Sequence, residues 1–394
     1  MNRKTLLANA EYSLAQGAYW MELCVVMSFA NVFLQNRGYS NAQLGLVLAL
    51  GNAAAFGLSI VLGGIVDRSE KLDSEKMLWI LLALQTLLIL SFRLFPGRSF
   101  AVSLCYSLYI AVNSCIVPML TQLSFELSSP ACEINYGLGR GVGSLAYALA
   151  AAALGVIAER FGTETMIGAG LLLTLCQMLT LFLFTRGRTK TAAAKKTEEK
   201  SASMPQFIAE NRRFCRMMFG YAVIFFAYRF FDSFLINIVR NVGGGTRDMG
   251  NINAFMAVTE LPAMFFYTRL SRRFGCSRCV CFGLLCFLGR ALAIAWAPTL
   301  PLLFAAHLFQ GLSYGLLTPA LVEYTALVVP KKDAARGQAF SYSVTTLGSI
   351  FASLFGGRMF DTLPVRTVLY IGAAITLVGL AFALPAREKN AERV

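Results

Sequence analysis

Apolar residues along this chain collect into about twelve blocks separated by short polar stretches, and the blocks have the length of a bilayer-crossing helix. Such a helix needs roughly 20 mostly apolar residues, with about 17 as the lower limit. Met77–Phe95, Met166–Phe184, Cys279–Trp296 and Thr367–Leu384 reach that range with at most one charge each. The first block, near Tyr12–Leu34, is too long for a secretory signal, carries Glu22 and offers a poor cleavage site at Asn31–Gln35, so it is read as a span. The pattern predicts an all-α integral membrane protein with twelve transmembrane helices. At about 25 residues each, the helices use some 300 of the 394 residues, which excludes a large extramembrane enzyme.

Charge sharpens this picture. The net charge is +14, which in a soluble chain would point towards nucleic acid. Here the positions account for it: about 24 of the 35 Lys and Arg fall on one side of the predicted spans, about eight on the other, and about three inside them. Basic residues collect in cytoplasmic loops. Both termini are therefore expected in the cytoplasm, which requires an even number of spans, in a multi-pass protein of the cytoplasmic membrane that binds no nucleic acid. The longest polar stretch, Arg186–Arg213, is charged and alanine-rich and lies near the middle of the chain. It divides the chain into an N-terminal six-helix bundle (1–186), a cytoplasmic linker (187–212) and a C-terminal six-helix bundle with a short tail (213–394). The halves are weakly alike: Val117-Pro-Met-Leu-Thr-Gln122 matches Thr318-Pro-Ala-Leu-Val-Glu323, and Gly155 falls on Gly356 at the same offset. A parallel repeat of this kind marks one large class of transporters.

Ten cysteines are scattered, mostly inside spans. Cys276-Ser-Arg-Cys279 has CxxC spacing, but no second pair follows and the chain has a single histidine, so neither a metal nor another cofactor is expected. Enzyme chemistry would need an acid–base or metal cluster, and no H-E-x-x-H motif occurs. A channel would need a filter motif, and none stands out.

Charge inside a membrane costs roughly 2.5–3.5 kcal/mol per residue on insertion scales, so buried charges call for a function. Glu22, Arg140, Arg229, Asp232, Glu260, Arg290 and His307 all fall in predicted spans. Arg140 lies in a glycine-rich stretch, where a ligand could approach the backbone, and its guanidinium offers a rigid fork of donors to sugar hydroxyls or a carboxylate. Tyr147, seven residues on, shares its helix face. Tyr228 and Asp232 share a face, as do His307, Gln310 and Tyr314. Glu260 precedes Leu261-Pro262, where proline frees a backbone carbonyl beside a cavity. Glu22 is a second protonatable group.

Gly63-Gly-Ile-Val-Asp67-Arg68, after the second span, resembles the G-x-x-x-D-R signature of the major facilitator superfamily, although Ser69-Glu70-Lys71 replaces the usual G-R-K continuation. A narrower resemblance is to the lactose-permease-like branch, the oligosaccharide:proton symporters. It rests on Tyr136-Gly-Leu-Gly-Arg140-Gly-Val-Gly143 and on Tyr228-Arg-Phe-Phe-Asp232, which is similar to that branch's Tyr-Asp-x-Phe-Asp. The resemblance implies two pseudo-symmetric six-helix bundles, alternating access, a monomer, and a gating role for Gly63, Asp67 and Arg68. It makes Arg140 the sugar-binding arginine and puts Tyr147 where the branch has a sugar-stacking tryptophan. Glu260 and Arg290 fall on matching positions. Departures concern the proton: Gln310 and Ser313 stand where the branch has a histidine and a glutamate, Arg229 replaces an aspartate, and His307 replaces the lysine partner of Asp232.

Taken together, these features predict a secondary transporter for a small-molecule substrate. A small sugar or oligosaccharide with proton symport is favoured. Tyr228, Glu260, Gln310 and Tyr314 join Arg140 and Tyr147 as its contacts. The proton is expected on Asp232 with His307, or on Glu260, with Glu22 next. Three intramembrane arginines also suit an organic or aromatic carboxylate, and drug/proton antiport is a further alternative.

Overall fold

A computed structural model describes residues 3–69, 72–129, 132–188, 204–330 and 333–386. Almost all of them are helical. The helices are α1 (Arg3–Leu23), α2 (Ala30–Asn36), α3 (Asn41–Arg68), α4 (Ser74–Leu94), α5 (Phe100–Leu127), α6 (Tyr136–Phe161), α7 (Thr165–Thr185) and α8 (Met204–Glu210). They continue with α9 (Arg212–Ser233), α10 (Leu235–Asn241), α11 (Thr246–Phe274), α12 (Cys276–Trp296), α13 (Leu300–Ala306), α14 (Leu316–Val328), α15 (Ala334–Thr362) and α16 (Val365–Ala383). Side chains start several of them. Ser40 and Gln43 form a reciprocal capping box at α3, and Asp73, Ser99 and Asn135 accept from backbone N–H groups at the starts of α4, α5 and α6. Gly162 ends α6 and Gly275 links α11 to α12, both at φ values that favour glycine.

Ten helical segments among the described residues are long and apolar enough to cross a membrane, and α1 with α2 makes an eleventh across a bend of 44°. The remaining expected span is α11, which is long enough but carries Glu260 and charges at both ends. Three spans are not the continuous helices that an apolar block suggests. A π-helical segment, Cys24–Ser28, joins α1 to the bend; α9 breaks at Phe234 before α10; and α13 gives way at His307 to a π-helical segment, Gly311–Gly315, that feeds α14. π-helical turns inside α-helices are frequent at functional sites.

The chain divides into two compact units. In the first, which also takes in Gly245–Ala254, α1 packs along α6 and α7, and α5 packs on α3 and α4. In the second, α9 packs along α15 and α16, and α12 lies on α14 and α16. Small residues make the close approaches: a Cβ on Gly220 would stand 2.6 Å from the Gly379 carbonyl oxygen, so those two backbones touch. Large apolar side chains also point outwards, Phe100 at 83% and Phe265 at 86% exposure among them, as expected for a lipid-facing surface. The Arg186–Arg213 stretch lies largely outside the described residues, as do the side chains of Asp67 and Arg68; Gly63 sits inside α3, half-buried.

Candidate functional site

In the first unit the polar cluster is built where α1 crosses α6. Tyr12, Gln16 and Trp20 stand four residues apart on α1 and form a ladder: Gln16 Nε2 donates to the Tyr12 hydroxyl at 2.8 Å, and Trp20 Nε1 donates to Gln16 Oε1 at 3.2 Å. The rings lie on glycines of α6. A Cβ on Gly139 would come within 2.6 Å of the Tyr12 ring, and one on Gly143 within 2.3 Å of Trp20. The glycines at 139 and 143 therefore seat these two α1 rings, a different use from the ligand approach expected for the stretch. Between them, the Arg140 guanidinium lies over the Trp20 ring, 3.8 Å from its centroid, and its Nη1 donates to Ser144 Oγ at 2.6 Å. At this distance the guanidinium and the ring make a cation–π contact. Tyr147 points elsewhere: its hydroxyl meets Ser28 Oγ at 2.7 Å, tying α6 to the π-helical segment.

Trp20 and Ser144 were missed in the sequence. Their signal was the i, i+4 spacing of Tyr12, Gln16 and Trp20 opposite two small residues at 139 and 143. Deeper in the same unit, Glu22 is fully buried. The Tyr109 hydroxyl donates to Glu22 Oε1, while Oε2 has no partner among the described residues. Nearby polar groups form their own chain, with Asn113 donating to Gln85 and Gln85 to Thr174.

In the second unit a polar cluster surrounds Tyr228. Its ring is stacked on Tyr314 (centroids 5.4 Å apart, planes at 13°), and the Arg290 guanidinium lies over it at 4.9 Å. Buried Gln310 donates from Nε2 to Glu260 Oε1 at 2.7 Å and to the Tyr228 hydroxyl at 3.3 Å. Gln310 Oε1 and Arg290 Nε are buried with no hydrogen-bond partner among the described residues, so the cluster holds both an acceptor and a donor in reserve. Asp232 and Glu260 lie within electrostatic reach of Arg290. The π-helical turn explains the crowding. Gly311 and Gly315 let it press on α11, where a Cβ on Gly311 would stand 2.3 Å from the Thr259 carbonyl oxygen.

One expectation about this cluster needs correction. Asp232 takes Arg229 as its ion-pair partner, at 2.6 Å one helical turn away, and not His307. His307 is buried at the break after α13, where its Nδ1 donates to the Leu303 carbonyl at 2.7 Å. The residue that replaces an aspartate on α9 thus supplies the cation locally. Elsewhere in this unit Glu323 accepts from Tyr267 and from Ser271 (3.0 Å), linking α14 to α11.

A family model described as the MFS_1 like family matches residues 18–371. The maltose permease of Geobacillus stearothermophilus is 25% identical over 373 residues, covering 92% of this chain and 90% of that protein. A transporter of Bacillus subtilis (strain 168) described as uncharacterized, YwbF, is 20% identical over 363 residues, covering 89% and 86%. Among solved structures, a mutant of the nucleoside transporter NupG matches with a TM-score of 0.81 at 13% identity, covering 98% of this chain and all of that one. A bacterial homologue of the human lysosomal transporter Spinster, in an inward-facing and occupied conformation, matches with a TM-score of 0.73 at 14% identity, covering 100% and 99%. At these identities the solved structures establish the fold alone.

Proposed function

This chain belongs to the MFS_1 like family and is a multi-pass secondary transporter of the major facilitator superfamily, and we propose that it carries a small sugar or oligosaccharide together with a proton. One observation carries the reading: each unit holds a guanidinium stacked over an aromatic ring, Arg140 over Trp20 and Arg290 over Tyr228. A guanidinium fork donates directionally to hydroxyls, and the partly exposed Trp20 ring can take the apolar C–H face of a sugar, whereas the buried Tyr228 ring already carries Tyr314 and Arg290. Gln310 Oε1 and Arg290 Nε add an unused acceptor and an unused donor, which suit hydroxyl groups that both give and accept. The 25% identical relative is a maltose permease, which supports the same class.

An organic anion fits less well. Arg229 is paired with Asp232, and Arg290 lies in the field of Asp232 and Glu260, so two of the three intramembrane arginines already have carboxylates nearby. For the proton this reading uses Glu22 first. Asp232 is engaged by Arg229 and Glu260 by Gln310, whereas Glu22 Oε2 is an unfilled position that a proton would occupy. The basic loops support a topology with both termini in the cytoplasm.

The test is a ligand-stabilisation screen of the purified protein against disaccharides, nucleosides and aromatic carboxylates, since a ligand that binds the native state raises its melting temperature by mass action. A disaccharide is expected to stabilise the wild type, and Arg140→Ala to lose that response while melting normally without ligand. Stabilisation by carboxylates alone would overturn the substrate class.

A further inference from the structure

Beside the polar cluster around Tyr228, the second unit carries an apolar groove of about 860 Å³ between α11, α12 and the π-helical turn leading into α14. Its walls include Pro262, Phe266 and Phe274 of α11, Phe282 of α12, Leu308, and Leu312 of the π-helical turn. Thr259 and Gly311, whose backbones press together, are among its lining residues. From Thr259 to Phe274 the α11 wall runs about 22 Å at 1.5 Å per residue, somewhat more than the ~15 Å depth of one hydrocarbon leaflet.

Charge is confined to one end. Arg278 is the single charged residue in the lining, and it is exposed. Two more guanidinium groups lie against rings of the wall: Arg273 over Phe274 at 5.4 Å, at its end, and Arg269 over Phe266 at 5.6 Å, further along it. Glu323, the carboxylate within electrostatic reach of the lining residue Cys279, is engaged by Tyr267 and Ser271. The groove therefore has an apolar body as long as an acyl chain, Arg278 in its lining, and two further guanidinium groups against the Phe266 and Phe274 rings of its wall.

We propose that this groove is a binding site for an anionic phospholipid, with an acyl chain against Pro262, Phe282 and Leu312 and the phosphate at Arg269, Arg273 and Arg278. Clusters of basic residues at the membrane surface attract anionic headgroups, and the groove adds a chain-shaped apolar contact that a bare basic loop lacks. The occupant would line α11 and the π-helical turn at Thr259 and Gly311, one residue from Glu260 and Gln310 of the polar cluster.

The experiment is a competition between phosphatidylglycerol and phosphatidylcholine of identical chains for the purified full-length transporter in detergent, read by native mass spectrometry. The wild type is expected to retain phosphatidylglycerol on the order of tenfold more strongly, and raised salt to shrink that preference. Arg269→Ala/Arg273→Ala/Arg278→Ala should abolish the preference, and Leu312→Trp, which fills the groove, should weaken retention of both lipids. Circular dichroism melts identify a variant that fails to fold, in which case the salt dependence of the wild type decides. Equal retention of the two lipids by the wild type, or a preference unchanged by salt and by the triple substitution, would overturn the proposal. So would displacement of phosphatidylglycerol by equimolar glycerol phosphate, which has the headgroup charge and no chain.

Discussion

Removing the Trp20 ring takes away the surface on which the Arg140 guanidinium lies at 3.8 Å. Trp20→Ala is therefore expected to weaken sugar binding by roughly 1–2 kcal/mol, and Trp20→Phe by less, as measured by calorimetric titration. Arg140→Lys should rescue poorly, because a point charge keeps neither the stack nor the fork. Glu22→Gln tests the proton: it can keep the Tyr109 hydrogen bond but cannot exchange a proton. It is expected to preserve sugar exchange across vesicles while losing accumulation driven by a pH gradient; accumulation at the wild-type level would move the carrier to Glu260 or Asp232. Single residues were unevenly legible in the sequence. Arg140, Glu260 and Arg290 announced themselves as charges in apolar blocks. Trp20 did not, because an aromatic residue in a span is ordinary and its role comes from α6, more than a hundred residues away. The Asp232–His307 pairing failed for a related reason: resemblance aligned the positions, but Arg229, a turn from Asp232, supplies a nearer cation.

The elements divide the glycines into two kinds that the sequence does not distinguish. Gly141 has open space where a Cβ would point, whereas Gly143 is covered by Trp20 and Gly311 by the Thr259 carbonyl. Gly141→Ala should be neutral or stabilising by up to about 1 kcal/mol, since alanine is the better helix former. Gly143→Ala should cost about 1–3 kcal/mol and loosen sugar binding by displacing the ring, and Gly311→Ala should destabilise comparably, its clash being with backbone. Thermal melts of the three variants separate the cases; equal effects would contradict the packing described. The positions of most spans were readable because the apolar blocks are long and the intervening loops short. The bend after Ser28 and the π-helical turns were not, since no proline marks either segment. The break at His307 depends on how α11 crowds Gly311 and Gly315.

For the whole molecule, the fold class follows from the count of spans and the basic loops, and the family match agrees with it. Orientation carries its own prediction. In a chain free of other cysteines, Arg272→Cys should react with a membrane-impermeant maleimide in inverted vesicles and not in intact cells; the opposite pattern would reverse the topology. The inclusion of Gly245–Ala254 in the first unit was invisible in sequence. It depends on Gly250 meeting Gly155 and on the Glu159 carboxylate accepting from the Arg247 N–H at 2.9 Å, contacts between segments that no local pattern connects. The most direct test of sugar transport with a proton is uptake of radiolabelled maltose into proteoliposomes holding the purified wild-type protein, with and without an imposed inward proton gradient. Maltose accumulating above its external concentration only when the gradient is present is the predicted result; uptake no faster than into protein-free liposomes, or uptake indifferent to the gradient, would contradict it.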